Sequence, residues 1–522
     1  MNCLKYSIKY VFLFQRLRES KFIGVEEVNT KRQTYRSTQV PRKTKKGPKM
    51  DLSSAVRLFL QRGDSVKNWK ISVKSMSPWV RLPSYKTIKR HRDSILPKMQ
   101  SSQEDFSYSV LLDDMIANTV KRTMEYVYEK TPEVINNLSS NQLVIVGKVG
   151  GDGCGANNEF SNKETCEEKR DSSSLYSVGF TLLEIKTVNG EKVYECEKPN
   201  SPHNVRNLFL SYCSESRQIV TDTYNSLQEQ FLNLLPIVIE VGQKNFQIHG
   251  FGHSQIFFCM IDGKASSFIS QYIKGKTSNL STMCCFLCGK SKVHFLRDLD
   301  GNQEIDQNLL DLGISPLHCE LRCFEFLFNM GIRGQTSEKI TLTSDTFKNL
   351  KSIAQEKFAQ RLHIQVFKIR HGFGSTNTGR TAREFFQNAA ISAEILQLPI
   401  EIIEGFRDLL SILKSNDCGE DKIHDFEEIR DTLFKKIQVH PSFVKYGLTP
   451  TVHRILEHGA QFLRHFPIGI GKLSESALES RHKYLKKYRR FNSFQGSLAK
   501  NLQDIFARSL FSSDPYYALG FE

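Results

Sequence analysis

Residues 142–149 (QLVIVGKV) are apolar almost without a break and run straight into Gly150-Gly151-Asp152-Gly153-Cys154-Gly155. A short apolar run closed off by glycines reads as a strand buried on both faces. Such a strand needs a sheet around it and helices above and below, which constrains this chain more than any other stretch. The glycines let the backbone approach a ligand and leave Asp152 at the strand's end. An Asp in a glycine-rich turn is also an ordinary loop residue with no further role. Residues 256–261 (IFFCMI) repeat the pattern and end in Asp262-Gly263. Two strands of central type therefore each deliver an aspartate at their carboxyl end.

Between these strands the sequence predicts two more, over 175–186 and 192–197, joined at Asn189-Gly190, the strongest short hairpin signal. The polar stretch 157–173 reads as a surface loop. Glu215 follows, then a helix over about 222–235 that Pro236 ends. Three antiparallel strands, a helix, a fourth strand and a late helix bearing a carboxylate is the order of an RNase H-like core, whose first and fourth strands are neighbours. The expected fold class is therefore α/β, built on a mixed five-stranded RNase H-like sheet. The late helix lies at 473–485 (LSESALESRHKYL), with Glu479 near its start and Lys486, Lys487, Arg489 and Arg490 beyond. Ser476 and Glu479 also fit the S-x-x-E capping box, which needs no ligand. If Glu479 meets Asp152 and Asp262, their mutual repulsion makes sense where divalent cations occupy the cluster. Two hard cations about 3.5–4 Å apart can activate a hydroxyl and stabilise the leaving oxygen of a phosphodiester.

More than two hundred residues separate Asp262 from Glu479, too many for a connection, so they form an inserted domain. Cys285-Phe286-Leu287-Cys288 opens it, and His453-Arg454-Ile455-Leu456-Glu457-His458 stands near its end. C-x2-C with H-x4-H fits a tetrahedral structural zinc site, although the gap is far longer than in a zinc finger. Cys319 and Cys323 form a competing half-site, with His318, His294 and Cys284 as spare ligands, and buried thiols without metal are a third reading. The insertion is helical in pattern, for example over 345–358 and 400–413. Arg380 and Arg383 lie at helical spacing, which suits either DNA phosphates or a solvated helix face.

The formal charge of +16 on 522 residues is unevenly spread: residues 1–100 hold 24 Lys/Arg and 6 Asp/Glu, leaving 48 and 50 for the rest. A basic block suits a nucleic-acid backbone, where each neutralised phosphate releases a condensed counterion, or a solvated tail. Lys31-Arg32 and Arg42-Lys43-Thr44-Lys45-Lys46 resemble a bipartite nuclear signal. No apolar stretch is long enough to span a membrane. The acid-poor start, centred on residues 10–14, faintly resembles a transit peptide, and a start at Met50 would leave residues 1–49 outside the product. With no secretion signal, the cysteines point to reduced thiols and metal. A helix is expected from Leu52 to the Arg62-Gly63-Asp64 break. A second begins after Pro83, with Ser84 as cap and Lys86, Lys89, Arg90 and Arg92 exposed. This order suits a helix-turn-helix that offers its second helix to a DNA groove.

Together these pieces resemble a Transib-family DDE transposase, kin to the catalytic subunit of the recombination-activating recombinase. The matching residues keep the family's order: Gly151-Asp152-Gly153-Cys154-Gly155, Glu197-Lys198-Pro199-Asn200, Glu215-Ser216, Asp262-Gly263, the CFLC pair, Leu317-His318-Cys319-Glu320, Ala382-Arg383, the HRILEH pair, and Glu479-Ser480 with Lys483. The likeness covers about 105–500. It implies Asp152, Asp262 and Glu479 as catalytic acids holding two Mg2+ or Mn2+ ions, and Glu215 as a fourth carboxylate. It implies Cys285, Cys288, His453 and His458 as ligands of one structural Zn2+, and His318 near the active site. Lys86, Lys89, Arg90, Arg92, Arg380, Arg383, His318 and Lys483 are the candidate DNA contacts. The family cuts double-stranded DNA at terminal inverted repeats by nicking and hairpin formation, then joins the ends to target DNA, acting as a homodimer in the nucleus. The implied organisation is a basic tail at 1–50, a DNA-binding region at 51–105, a helical dimerisation region at 106–140 and a first core part at 141–280. A helical zinc-binding insertion at 281–470, a closing helix at 471–500 and a tail at 501–522 complete it. Glu475 departs from the family's spacing to Glu479 by one residue and is a rival to it. A catalytically silent, domesticated DNA-binding protein is the alternative function.

Overall fold

The computed structural model describes residues 47–521 apart from 78, 103–105, 156–173, 276–283, 297–298, 300–304, 306, 368, 371–373, 376, 418 and 495–496. The apolar start, the basic nuclear-type signal and the polar stretch at 157–173 lie outside the described residues.

The fold is mixed α/β. Its sheet has nine strands among the described residues: β1 (Gln100–Ser102), β2 (Ser107–Ser109), β3 (Gln142–Cys154), β4 (Leu175–Thr187), β5 (Lys192–Glu195), β6 (Arg206–Ser211), β7 (Ile237–Val241), β8 (Lys244–Ile248) and β9 (Gln255–Phe257). They run in the order β1-β2-β6-β4-β3-β8-β7, with β5 added to β4 and β9 to β3. The helices that matter here are α1 (Leu52–Arg62), α2 (Val66–Met76), α3 (Tyr85–Ile95), α4 (Leu112–Lys130), α5 (Arg217–Leu232) and α6 (Gly263–Ile273). They continue with α7 (Pro316–Gly334), α8 (Asp345–Leu362), α9 (Gly379–Gln387), α10 (Ile400–Leu413), α11 (Glu420–Val439), α12 (Pro450–His465), α13 (Ser476–Phe491) and α14 (Leu498–Ser512).

β3 is the axis of the sheet. It pairs antiparallel with β4 from Leu143↔Thr187 to Cys154↔Leu175, with a bulge after Val146. On its other side it pairs in parallel with β8 at its start and with β9 from Val146↔Gln255 to Lys148↔Phe257. Beyond β9 the chain stays alongside, where the Met260 amide donates to the Val149 carbonyl at 3.1 Å. A side chain at Gly150 would strike the Met260 backbone, so only glycine allows this approach. The two aspartate-bearing segments therefore run side by side in the same direction.

One expected strand is replaced. The 192–197 segment makes only the short β5, which meets β4 at Glu184–Lys186 across the turn at Gly190 (φ 87°). The main third strand is β6, on Tyr176–Phe180 of β4. Its sequence, RNLFLS, opens with a charged residue, which hides it from an apolar-run reading. Arg206 is nonetheless buried, donating to Asn118 Oδ1 at 2.8 Å and Thr119 Oγ1 at 2.9 Å on α4.

The region from α7 to α12 is helical and packs around α7, whose Phe324 and Phe326 meet Phe385 and Phe443 with ring centroids 5.0 and 5.5 Å apart. It shares one continuous apolar cluster with the sheet and so does not form a core of its own. A second cluster joins α1, α2 and α3 to Phe511 and Tyr517. Here the two-helix expectation is corrected to three helices. The additional helix, α2 (VKNWKISVKSM), interleaves apolar with polar and basic residues, and Trp69 is buried with its indole donating to the Pro83 carbonyl at 3.0 Å. Residues 501–512 are no tail either, because α14 is buried along most of its length.

Gly150→Ala should destabilise the protein by about 1–3 kcal/mol through overpacking. Gly155→Ala, whose added carbon meets nothing within 4 Å, should stay within about 0.5 kcal/mol. Urea unfolding of both variants measures the difference.

Candidate functional site

The carboxyl end of β3 carries Asp152, and the chain leaving β9 carries Asp262, which caps α6 by accepting from the Lys264 and Ala265 amides at 2.9 and 2.7 Å through Oδ1. Glu215 lies just before α5, and a side chain at Gly153 would come within 3.3 Å of its Oε2. Glu475 and Glu479 stand at the start of α13. Electrostatics brings these side chains into one field. The Asp152 carboxyl is raised well above the usual range, first by burial and then by the charges of Glu215, Asp262, Glu479 and Glu475. Glu215 is raised by burial and by Asp262, partly offset by Lys264, whose Nζ lies 3.6 Å from its Oε2. Glu479 is raised by burial, Glu475 and Asp262, partly offset by His318. Four separate stretches of sequence thus supply five acids to one end of the sheet.

The two glutamates of α13 differ in what they already hold. Glu475 is buried, with 3% of its side chain exposed, and accepts hydrogen bonds from Ser315 Oγ and His318 Nδ1. Burial works against a charge on His318, but the hydrogen bond and charge of Glu475, with Glu479 and Asp262, outweigh it and raise its pKa to about 9. Glu479 keeps 38% exposure, with its Oε1 4.0 Å from His318 Nε2. Ligand atoms of His318, Glu475 and Glu479 lie within 4.8 Å of one another. Of the two glutamates, Glu475 is paired with His318 and buried, and Glu479 is the more exposed.

The capping-box alternative for Glu479 does not match the structure. Glu475 is the N-cap residue, Ser476 is already helical, and its amide donates to Ser474 Oγ at 3.2 Å. His482, one turn after Glu479, is a site residue that the sequence did not single out. Its Nε2 lies 3.0 Å from Ser177 Oγ and its Nδ1 3.6 Å from Asp152 Oδ2. Burial, then Lys486, pushes its pKa down to about 4, so the ring beside Asp152 is neutral.

A second centre joins Cys285 and Cys288 to His453 and His458, whose ligand atoms all lie within 4.8 Å of one another. The thiols sit on a tight turn in which the Gly289 amide donates to the Cys285 carbonyl at 2.9 Å, with Gly289 at φ 72°. Both histidines project from α12. His453 stacks on Phe295 with centroids 4.0 Å apart and places Nε2 3.3 Å from Cys288 Sγ. His458 Nδ1 bonds Gln461 Oε1 at 2.9 Å, while its buried Nε2 has no hydrogen-bond partner among the described residues. Burial would raise the Cys285 thiol, but hydrogen bonds from Cys288 and the charge of Arg454 bring it down to about 7. A thiol near its thiolate form and a buried imidazole nitrogen without a partner suit a soft tetrahedral metal such as zinc.

The competing half-site is excluded by its surroundings. Cys319 and Cys323 are fully buried on α7, and burial raises Cys319 to about 12 and Cys323 well above its ordinary value. They pack as apolar side chains. His294 instead lies 3.0 Å from Ser291 Oγ.

Of the basic candidates, Lys86, Lys89 and Arg90 are exposed on α3, but Arg92 pairs with Asp93 at 2.6 Å. Arg380 and Arg383 are exposed on α9. On α13 the exposed cations are Lys483, Lys486, Lys487 and Arg490. Arg489 turns inward over Tyr212, 5.0 Å from the ring centre, so the basic run is two-faced. Lys487 reaches the end of α1, where a side chain at Gly63 would lie 2.8 Å from its Nζ. The N-terminal helices therefore adjoin the basic face of α13.

Comparison of the chain with protein-family models and with curated proteins returns no match.

The purified protein should carry one zinc equivalent, read by atomic absorption. Cys288→Ser or His458→Ala should remove it and destabilise the fold by at least about 4 kcal/mol, the effect of losing a ligand held a thousandfold above its Kd. The acidic site has its own pH signature. Asp152, Glu215 and Glu479 have folded pKa values above their unfolded ones, so the folded state binds more protons and stability falls as pH rises above about 4. His318 adds to this, because its contribution is full below about 6.5 and lost as pH passes about 9. Thermal unfolding without added divalent cations, and without chelator so that the thiol–imidazole centre is left undisturbed, should therefore show the midpoint falling as pH passes from about 6.5 to about 9, the span of His318. Mn2+ should restore most of it at neutral pH.

Proposed function

We propose that this chain is a DDE-type DNA transposase or recombinase of the Transib kind, with an RNase H-like core interrupted by a helical, zinc-stapled region. The convergence of Asp152, Glu215, Asp262, Glu475 and Glu479 on one sheet end carries the reading, because acids gathered so that their charges raise the Asp152 carboxyl leave a deficit of positive charge that divalent cations would fill. Asp152, Asp262 and Glu479 would hold Mg2+ or Mn2+, with Glu215 beside them. The bound ions would activate a water or a DNA 3′-hydroxyl and stabilise the oxygen that leaves phosphorus.

The chain's own residues do the rest. Lys483, Lys486, Lys487 and Arg490 offer an exposed cationic row next to the acids, suited to the phosphates of double-stranded DNA. Lys86, Lys89 and Arg90 on α3 extend that surface, and Arg380 and Arg383 offer a further contact. His318, kept protonated by Glu475, adds a positive charge beside Glu479. His482 faces Asp152 as a neutral ring and leaves that carboxylate's charge available. The reaction class is nucleophilic substitution at phosphorus: hydrolytic nicking at element ends, which frees a 3′-hydroxyl, then transesterification by a 3′-hydroxyl in hairpin formation and in joining to target DNA. Each step exchanges one P–O bond for another and needs no covalent enzyme intermediate. A homodimer working on paired DNA ends in the nucleus belongs to the same proposal.

The test is cleavage of supercoiled plasmid and of hairpin-competent DNA ends in Mn2+. Changing even an outer partner of a metal site typically lowers activity about 10–100-fold. Asp152→Ala, Asp262→Ala and Glu479→Gln should therefore each lower cleavage by more than about 100-fold while leaving DNA retention in gel shifts intact. Wild-type cleavage in all three would sink the proposal. Retention without cleavage by the unmodified protein would favour a silent DNA-binding descendant.

A further inference from the structure

β3 carries a lysine in its fully buried middle. Lys148 has no exposure, and no carboxylate meets its ammonium in a salt bridge among the described residues. Its Nζ donates to the Ser474 carbonyl at 2.8 Å and to Asn200 Oδ1 at 3.0 Å. Asn200 passes the contact on, its Nδ2 donating to the Gly471 carbonyl at 2.8 Å. Both carbonyls belong to the short stretch that leads into α13. The neighbouring Cys259 reaches the same stretch, with Sγ 3.5 Å from the Leu473 carbonyl.

Desolvating an ammonium is expensive, and a methionine of similar length would fill the same space without that penalty. The lysine's distinctive contribution is directional: it holds the Ser474 carbonyl directly and orients Asn200, which holds the Gly471 carbonyl, and no apolar side chain can do either. Lys148 and Asp152 are four residues apart on one strand, so their side chains leave the same face about 13 Å from each other. Ser474 and His482 are eight residues apart, of which the helical part from Ser476 to His482 rises about 9 Å and the rest is the entry of the chain into α13. Lys148 meets the first of these, and Asp152 faces the second. The strand and the helix thus meet at both ends of this span, by a hydrogen bond at Ser474 and by the approach of His482 to Asp152, and Glu479 lies between them.

We infer that Lys148, with Asn200, is a positioning clamp that sets where α13 sits along β3 and thereby places Glu479 against Asp152 and Asp262. This rests on the reading of those acids as a cation site. It also gives the buried lysine a role tied to the break in the chain. Glu479 returns to the sheet after more than two hundred residues, and the clamp is where that return is fixed.

The experiment compares Mn2+ binding by calorimetry with amide exchange at Leu478 and Glu479 in wild type, Lys148→Met, Asn200→Ala and the double variant. Phe406→Leu, in the distant helical core, serves as a destabilised control. Both single variants should weaken Mn2+ binding about 10–100-fold, as outer partners of metal sites do. The double variant should be little worse than either, because one clamp is broken. Phe406→Leu should lose stability but keep Mn2+ affinity within about twofold, since the two sites are independent. If Lys148→Met fails to fold, Asn200→Ala carries the test. Wild-type affinity and exchange in the folded variants would overturn the clamp while leaving the cation site standing. No Mn2+ binding by wild type would overturn the cation site. In that case, faster exchange at Leu478 and Glu479 in the variants would still support the clamp as the device that sets α13, and unchanged exchange would overturn it.

Discussion

Like charges gathered at the end of one strand must be held against their own repulsion, and much of the surrounding structure does that holding. Asp262 is tied down by two amides of the helix it caps, and Glu215 by Lys264. Glu475 is neutralised by His318, which removes one of the five charges from competition. Asp152 and Glu479 have weaker restraints and stay more open to water, at 24% and 38% exposure. This division sets apart Glu475, whose charge is already paired with His318, from Asp152, Asp262 and Glu479, none of which has so close a cationic partner among the described residues. It also explains why Glu475, close to Glu479 in sequence, is a poor rival to it.

The sheet end was legible because strand chemistry is local. Apolar runs ending in Asp-Gly at 152 and 262 announce themselves, and Asn189-Gly190 announces the turn after β4. β6 and α2 were hidden for a shared reason: each mixes apolar with polar or charged residues and includes a large buried side chain with a polar atom, Arg206 or Trp69, whose partner lies 88 or 14 residues away. Periodicity has no way to register a partner at such a distance. His482 and Lys148 escaped notice similarly. A histidine in a basic helix and a lysine in an apolar strand look like solvated residues until the fold supplies Asp152 on one side and the Ser474 carbonyl on the other.

The cysteine and histidine pairs show what spacing can and cannot decide. C-x2-C places two sulfurs on one turn, and H-x4-H places two rings on one helix, but spacing does not say that the turn meets the helix. Cys319 and Cys323 had an equally plausible pattern. The discriminating observation is geometric: the ligand atoms of Cys285, Cys288, His453 and His458 lie within 4.8 Å of one another, whereas Cys319 and Cys323 are buried on α7 as part of the apolar core.

The two centres are joined through the chain in a way that gives the thiol–imidazole cluster a structural purpose. His453 and His458 hold the first half of α12 to the turn at Cys285–Cys288 near the beginning of the helical region. From the end of α12 at His465, only the short stretch through Leu473 remains before α13. A metal at the first centre would therefore fix the point from which that stretch departs, and Lys148 with Asn200 fixes where it lands. With departure and landing both held, few torsions remain to blur the position of Glu479. A carboxylate that must meet partners more than two hundred residues upstream needs that restriction, because a displacement of about 1 Å is enough to spoil a metal-binding geometry.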